Sequence, residues 1–224
     1  MNTLYLIRHG ENTANLTREF SHRVVDYSLT PRGILQAQQT AEYFQTKRVD
    51  AIYASPLKRA IETAQIIGEA VDVEPLVLEQ FREVNVGLLE GQPPTNEIWA
   101  EHDRIVRSWM TGQPELLFPE GENYHMLLER MRSGVAEALR GRVNQHVLIV
   151  GHGGIFTFTL KDICSDIDLP RLIARPSRNC SITELEIDEV AGELRGVLKA
   201  WSSCTHLSGE ALTRIIGHPA FDEA

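Results

Sequence analysis

Cysteine is scarce: Cys164, Cys180 and Cys204 are three in 224 residues, an odd number with no CxxC pair among them. That excludes a disulfide framework and a zinc-ribbon spacing, and the expected compartment is a reducing one, the cytoplasm. Long apolar runs are missing too. No stretch approaches the ~20 apolar residues that a membrane-spanning helix needs, and the first strand-like run begins at Leu4 with no signal-type segment before it. No membrane association is expected. Basic residues are outnumbered, 22 against 31 acidic, giving a formal net charge of -9. This argues against nucleic acid as a partner, which would need a basic surface. Lysine is rare: only Lys47, Lys58, Lys161 and Lys199. The basic residues are therefore mostly arginine, whose planar fork suits phosphate and carboxylate. Repeats, low-complexity tracts and linkers are lacking, so residues 1–224 read as one domain.

What is present is an alternation of short apolar runs with helical patterns. Hydrophobic content of 42% and charged content of 24% are ordinary for a globular chain. Leu4-Tyr5-Leu6-Ile7, Ala51-Ile52-Tyr53-Ala54 and Val147-Leu148-Ile149-Val150 have no polar alternation, as in strands buried on both faces of a parallel sheet. Pro75 to Leu78 reads as a further short strand. Thr30-Pro31 and Ser55-Pro56 both read as an N-cap followed by proline at the first helical position. Helical spacing follows at Ile34, Ala37, Ala41 and Phe44, and again at Leu57, Ala60, Ala64 and Ile67. Two more helical patterns carry Ile98 to Trp109 and Tyr124 to Leu139, and a helix is expected from Ile155 to about Ile163. Near the end, Thr183, Leu185 and Ile187 alternate with Glu184 and Glu186, and Val197, Lys199 and Trp201 alternate after a turn at Gly192. This predicts an antiparallel hairpin at the sheet edge. The expected fold is a three-layer α/β/α domain with a mostly parallel sheet, an antiparallel edge strand near the C-terminus, and a helical insertion or lid at about 92–121.

Candidate chemistry sits at the strand ends. Arg8 and His9 close the first strand, Arg59 lies just after Ser55-Pro56, and His152 follows the strand ending at Val150. Carboxyl ends of parallel strands face one rim, where reactive groups collect. Two arginines and two histidines gathered there imply an anion site, with a phosphoryl group as the economical ligand. Helix N-termini opening at Gly10, Pro56 and Gly153 are expected to add N–H donors.

The ordered set Arg8-His9-Gly10-Glu11 with Asn15, Ser55 to Ala60, Phe81-Arg82-Glu83 and Gly151-His152-Gly153 resembles the histidine phosphatase, or phosphoglycerate mutase-like, superfamily. The late stretch Asn179 to Thr183 is similar to the family's closing strand. A lone Arg-His-Gly is weak, but four elements in order are specific. The resemblance implies that His9 attacks phosphorus and carries the phosphoryl group, and that Arg8, Arg59 and His152 with Asn15 and Gly153 hold its oxygens. Glu83 would protonate the leaving oxygen and later activate water. Glu79 and Glu90 lie in the same acidic stretch. Asn12 stands where many relatives have Thr or Ser, and Ser21-His22-Arg23 departs from the glycine-containing loop common in the family. His22, His102, His125, His146, His206 and His218 match no family position, and Trp99, Trp109 and Phe118 read as packing residues.

The expected activity is metal-independent hydrolysis of a small phosphorylated metabolite, with no cofactor and a homodimer left open. A phosphoglycerate mutase is the rival, needing the same catalytic groups. A catalytically silent phospho-ligand binder is the rival of another class, opposed by the presence of both His9 and Glu83. A dinucleotide turn at Gly151-His152-Gly153-Gly154 fails because Phe156 occupies the place of the third glycine. A metal held by His9 and His152 with Glu11 or Glu83 would be repelled by Arg8 and Arg59, and no HExxH spacing occurs.

Overall fold

The computed structural model describes residues 1–165, 167–190 and 192–213. Strand β1 (Asn2–Arg8) lies mid-sheet, where its apolar run is buried on both sides. It is followed by α1 (Thr13–Thr17), α2 (Pro31–Gln45), β2 (Ala51–Ala54), α3 (Lys58–Val71) and β3 (Leu76–Val77). Then come α4 (Asn96–Met110), α5 (Tyr124–Leu139), β4 (His146–Gly151), α6 (Gly153–Thr159), β5 (Cys164–Ser165), α7 (Leu169–Ile173), β6 (Ile182–Val190) and β7 (Glu193–Ser203). The sheet order is β3-β2-β4-β1-β6-β7-β5. Only β6 opposes the common direction: β1, β2, β3 and β4 pair in parallel, β6 is antiparallel to both neighbours, and β5 pairs with β7 in parallel. The hairpin is thus present but does not form the edge. The two-residue strand β5 covers its outer side.

Alternation along β1 builds the three layers. Tyr5 and Ile7 join Ala41 and Phe44 of α2 and Ala60, Ala64 and Ile67 of α3 on one face. Leu4 and Leu6 join Ile105 and Trp109 of α4, Leu127, Met131 and Val135 of α5 and Ile155 of α6 on the other. The 92–121 segment is anchored in this second layer, because Ile105 and Phe118 have no exposed surface. In β7 the inward positions are Leu194, Gly196 and Leu198, while Val197 and Lys199 face out. Val197 and Lys199 therefore mark the wetter face, whereas Trp201, beyond a register shift in the β6–β7 pairing, packs against the core with Leu194 and Leu198. Among the described residues no helix is long and apolar enough to cross a membrane.

Thr30 caps α2 with Pro31 at its first position, as expected. Ser55-Pro56 behaves differently. Helix α3 begins at Lys58 after Leu57, without a side-chain cap; the Ser55 hydroxyl lies 2.7 Å from His152 Nε2 and also accepts the Leu57 N–H at 3.4 Å.

Candidate active site

The end of β1 is clamped from both sides. His9 N–H donates to the Gly151 carbonyl at 2.9 Å, and the His9 carbonyl accepts from Asn179 Nδ2 at 3.0 Å. Gly10 follows because a Cβ there would stand 2.6 Å from the Gly33 carbonyl oxygen where α2 packs close. The buried His9 ring has Nδ1 2.6 Å from the Gly10 carbonyl, while Arg59 Nε donates to Nε2 at 3.1 Å. A guanidinium only donates, so Nδ1 carries the proton and Nε2 the lone pair. Burial, then the charges of Arg59 and Arg8, push the His9 pKa well below its usual 6.5 against the Gly10 bond. His9 is a neutral imidazole whose free lone pair faces a cation.

Arg59 occupies the first turn of α3 and bridges the site. Its Nη1 donates to Ser21 Oγ at 2.7 Å, and Nη2 donates to the Ser21 carbonyl at 2.9 Å and to His152 Nδ1 at 3.1 Å. Burial lowers its pKa to about 10, which leaves it charged at neutral pH. His152, at the end of β4, accepts from Arg59 through Nδ1 and so donates from Nε2 to Ser55 Oγ. Burial and then the arginine charges push its pKa well down too. Arg8 sends Nη1 to the Ser177 carbonyl at 2.5 Å, yet its Nε, like Asn12 Nδ2, is buried without a partner among the described residues. Leaving such donors unpaired is costly. Both residues line a cavity of about 440 Å³ with His9, Arg59, Glu83 and Gly153. Donors of this kind fit an acceptor-rich anion.

Asn15 also lines the cavity. Its Oδ1 accepts from the Asn12 N–H and from Asn179 Nδ2, which leaves its amide donors for the cavity side. Asn12 and Asn15 cap α1 reciprocally, so the residue that replaces Thr or Ser is both a cap and an unpaired donor.

The acidic candidates separate clearly. Glu83 lines the cavity, and its carboxylate accepts from Val84 and Ile155 N–H through Oε1 and from Gly154 N–H through Oε2. Oε2 keeps the freer lone pair. The Glu83 carbonyl is held by His22 Nδ1 at 2.8 Å and Arg130 Nη2 at 2.9 Å, and Arg130 is paired to Glu122. Glu79 is exposed on Arg82. Glu11 is bound by Thr30 and Arg32. Glu90 Oε1 accepts the N–H groups of His22, Arg23, Val24 and Val25 and so fixes the loop that presents Ser21. Burial raises the Glu90 pKa, but those N–H bonds outweigh it and hold it below the usual value.

The structure brings His9, Arg8, Arg59, His152, Glu83, Asn15 and Gly153 to one rim. Some helix-start donors are already engaged: Gly10 N–H donates to Thr63 Oγ1, Lys58 N–H to Asp26, and the Gly154 and Ile155 N–H groups of α6 to Glu83. The charged donors at the rim are guanidinium groups. Sequence reasoning marks Asn12, the Ser21-His22-Arg23 loop bordering the pocket and the Asn179 stretch without assigning these contacts, and it missed the Arg130–Glu122 pair. His102 and Trp99, read as packing or surface residues, line the cavity, whereas Trp109 and Phe118 are core. His218 lies outside the described residues. Among the described residues no group of three or more His, Cys, Asp or Glu is arranged to hold a metal ion.

Residues 4–198 match the family model described as histidine phosphatase superfamily (branch 1). A Hydrogenobacter thermophilus protein named as an inferred phosphoserine phosphatase is 32% identical over 84% of this chain and 91% of its own length. The uncharacterized phosphatase PhoE of Bacillus subtilis is 30% identical over 93% of this chain and 98% of its own. Among solved structures, a mutant phosphoserine phosphatase from Entamoeba histolytica in complex with phosphoserine aligns with a TM-score of 0.74 at 26% identity, covering 93% of this chain and all of that one. Family match, the phosphatase-named relatives and strand-end geometry agree: this chain belongs to the histidine phosphatase superfamily and is a phosphatase.

Proposed function

We propose that this phosphatase hydrolyses a small phosphomonoester through a phosphohistidine on His9. The observation that carries the reading is the unprotonated Nε2 of a neutral, buried imidazole beside two guanidiniums. When the phosphoryl group enters, its oxygens take over the donors of Arg59, Arg8 Nε and Asn12 Nδ2, and Nε2 is freed to attack phosphorus. The P–O bond breaks as the Nε2–P bond forms, and Arg8 and Arg59 offset the charge on the equatorial oxygens. Glu83 gives a proton to the leaving oxygen. It then takes one from the water that displaces phosphate from His9, which restores both groups. Ser55 Oγ can donate or accept, so His152 can switch tautomer and turn an N–H toward a phosphoryl oxygen.

Phosphoserine, the compound in the names of two similar proteins, is one monoester to test. Other relatives are named probable phosphoglycerate mutases. Hydrolysis is the better-supported reading here because, among the described residues, Arg107 is the only guanidinium or ammonium lining the cavity beyond Arg8 and Arg59, too little to hold a bisphosphate. The test is an alkaline quench during turnover of a labelled substrate, followed by mapping. Acid-labile, alkali-stable label on His9, absent from His9→Ala, is expected. Label on another residue overturns the proposal.

A further inference from the structure

The main-chain carbonyls around Glu83 converge on one guanidinium. Arg130 of α5 donates through Nη1 to the Gln80 carbonyl at 2.8 Å and the Arg82 carbonyl at 2.5 Å, and through Nη2 to the Glu83 carbonyl at 2.9 Å. The same fork holds Glu122, with Nε 2.9 Å from Oε2 and Nη2 2.7 Å from Oε1. Glu122 Oε1 in turn accepts the Asn85 N–H at 2.8 Å. The pair thus fixes the backbone before, at and after Glu83. Gly134, one turn further along α5, brings that segment within reach of the guanidinium. A Cβ there would stand 2.7 Å from the Phe81 ring, so only a glycine lets the chain lie directly on the helix.

What Arg130 grips is backbone. The Glu83 carboxylate is bound by the N–H groups of Val84, Gly154 and Ile155 instead, and Arg130 itself does not line the cavity. A general acid works only within about 2.6–3.2 Å of the oxygen it protonates, and a misplacement of about 1 Å can cost on the order of 10²-fold. A shift of the Glu83 backbone would therefore be felt in proton transfer before it was felt in phosphate binding.

We infer that Arg130, backed by Glu122, is a positioning residue for proton transfer, setting where the Glu83 carboxylate stands relative to the leaving oxygen. This rests on the reading of Glu83 as the general acid given above and adds the residues that aim it.

The test is a double-mutant cycle between positions 130 and 83 in the intact chain. Arg130→Lys keeps a charge opposite Glu122, but an ammonium carries its donors on one atom and cannot span three carbonyls. Two probes are used: glycerol phosphate, whose alkoxide needs a proton to leave, and nitrophenyl phosphate, whose leaving group does not. Arg130→Lys should lower kcat for glycerol phosphate about tenfold with KM within twofold, while the first turnover of nitrophenyl phosphate stays within threefold of the parent. In Glu83→Gln, adding Arg130→Lys should change glycerol phosphate turnover less than twofold, because no acid remains to be aimed. A tenfold loss in both backgrounds, an equal loss on both probes, or no loss at all overturns the inference while leaving the Glu83 reading intact. A Glu83→Gln variant with parental activity on glycerol phosphate, or a parent that hydrolyses neither probe, overturns that reading and the inference with it. If Arg130→Lys does not fold, Arg130→Met with Glu122→Gln removes both charges together and takes its place in the cycle. Failure of both to fold would show that the pair is structural, which also overturns the inference.

Discussion

At the scale of single residues, Glu83 has the most to lose. Its carboxylate satisfies three backbone N–H groups, two of them from the first turn of α6. A glutamine keeps one acceptor oxygen but turns an NH2 toward another N–H, so Glu83→Gln disturbs the loop as well as removing the proton. If Glu83 is the general acid, the variant should lose on the order of 10²–10⁴-fold with alkyl phosphates. Nitrophenolate leaves without a proton, so nitrophenyl phosphate should give a burst followed by slow turnover, because water has lost its base. Stopped-flow release of nitrophenol checks this, and equal slowing of both substrates without a burst places the acid elsewhere. The neighbouring glycines give a finer probe. A Cβ at Gly154 would lie 2.7 Å from Glu83 Oε1, whereas one at Gly153 would meet Arg8 at an ordinary 3.6 Å. Gly154→Ala should therefore lower kcat for alkyl phosphates by roughly tenfold or more, the equivalent of about 1.4 kcal/mol at the transition state. Gly153→Ala should stay close to the parent, and the reverse order would contradict the Glu83 assignment.

At the scale of elements, the site depends on a loop that has no regular structure. Glu90 gathers four consecutive N–H groups, His22 to Val25, and the same loop presents the Ser21 hydroxyl and carbonyl to Arg59. Hydrogen bonds to a charged acceptor contribute about 1.5–3 kcal/mol each. Glu90→Gln should accordingly speed amide exchange at 22–25 and raise KM by roughly tenfold, while the melting temperature moves by only a few degrees. Unchanged exchange there would show that the loop is held by something else. Elements such as these explain what the sequence could and could not reveal. Strands β1, β2 and β4 were legible because four-residue apolar runs have few alternatives, and α2 because Thr30-Pro31 is a strong start. Ser55-Pro56 has the same appearance, but its serine meets His152, 97 positions away, and the helix starts at Lys58 without a side-chain cap. The histidines and arginines of the candidate site were readable from strand ends, whereas Ser21, Asn179, His22 and Arg130 act through backbone carbonyls or single long-range bonds. Such bonds depend on where the chain folds back, and no local pattern marks them. The β5 edge was missed for a related reason: two residues at Cys164 and Ser165 carry no periodicity.

At the scale of the whole molecule, the buried titratable groups fix the pH range over which the fold is most stable. His9, His152, His22 and His206 all have pKa values below the usual 6.5, burial being the largest cause in each, and His206 falls to about 4. Below pH 6.5 the unfolded chain binds protons that the native state refuses. Stability from these groups is complete above 6.5 and is lost as pH falls toward their folded values. On the alkaline side, burial raises Cys164 and Cys180 from 9.0 to about 12 and Tyr5 from 10.0 to about 12. Their contribution is complete below about 9 and is lost as pH rises toward 12. The two limbs leave a plateau between pH 6.5 and 9, above the pI of about 5.4. The acid limb is the steeper test, because His9 and His152 are almost fully buried and each adds a slope that approaches about 1.4 kcal/mol per pH unit once the pH is about a unit below 6.5. Urea unfolding at half-unit intervals from pH 5 to 8 measures it. His9→Gln removes one group, so its stability curve should be flatter than the parent's by about that slope between pH 5 and 6.5 and run parallel to it above 7. A parent curve flat from pH 5 to 8, or a variant parallel to it throughout, would mean that His9 takes up a proton in the folded protein near its ordinary value. The neutral nucleophile that the proposed phosphoryl transfer requires would then be lost at the acid end of the physiological range.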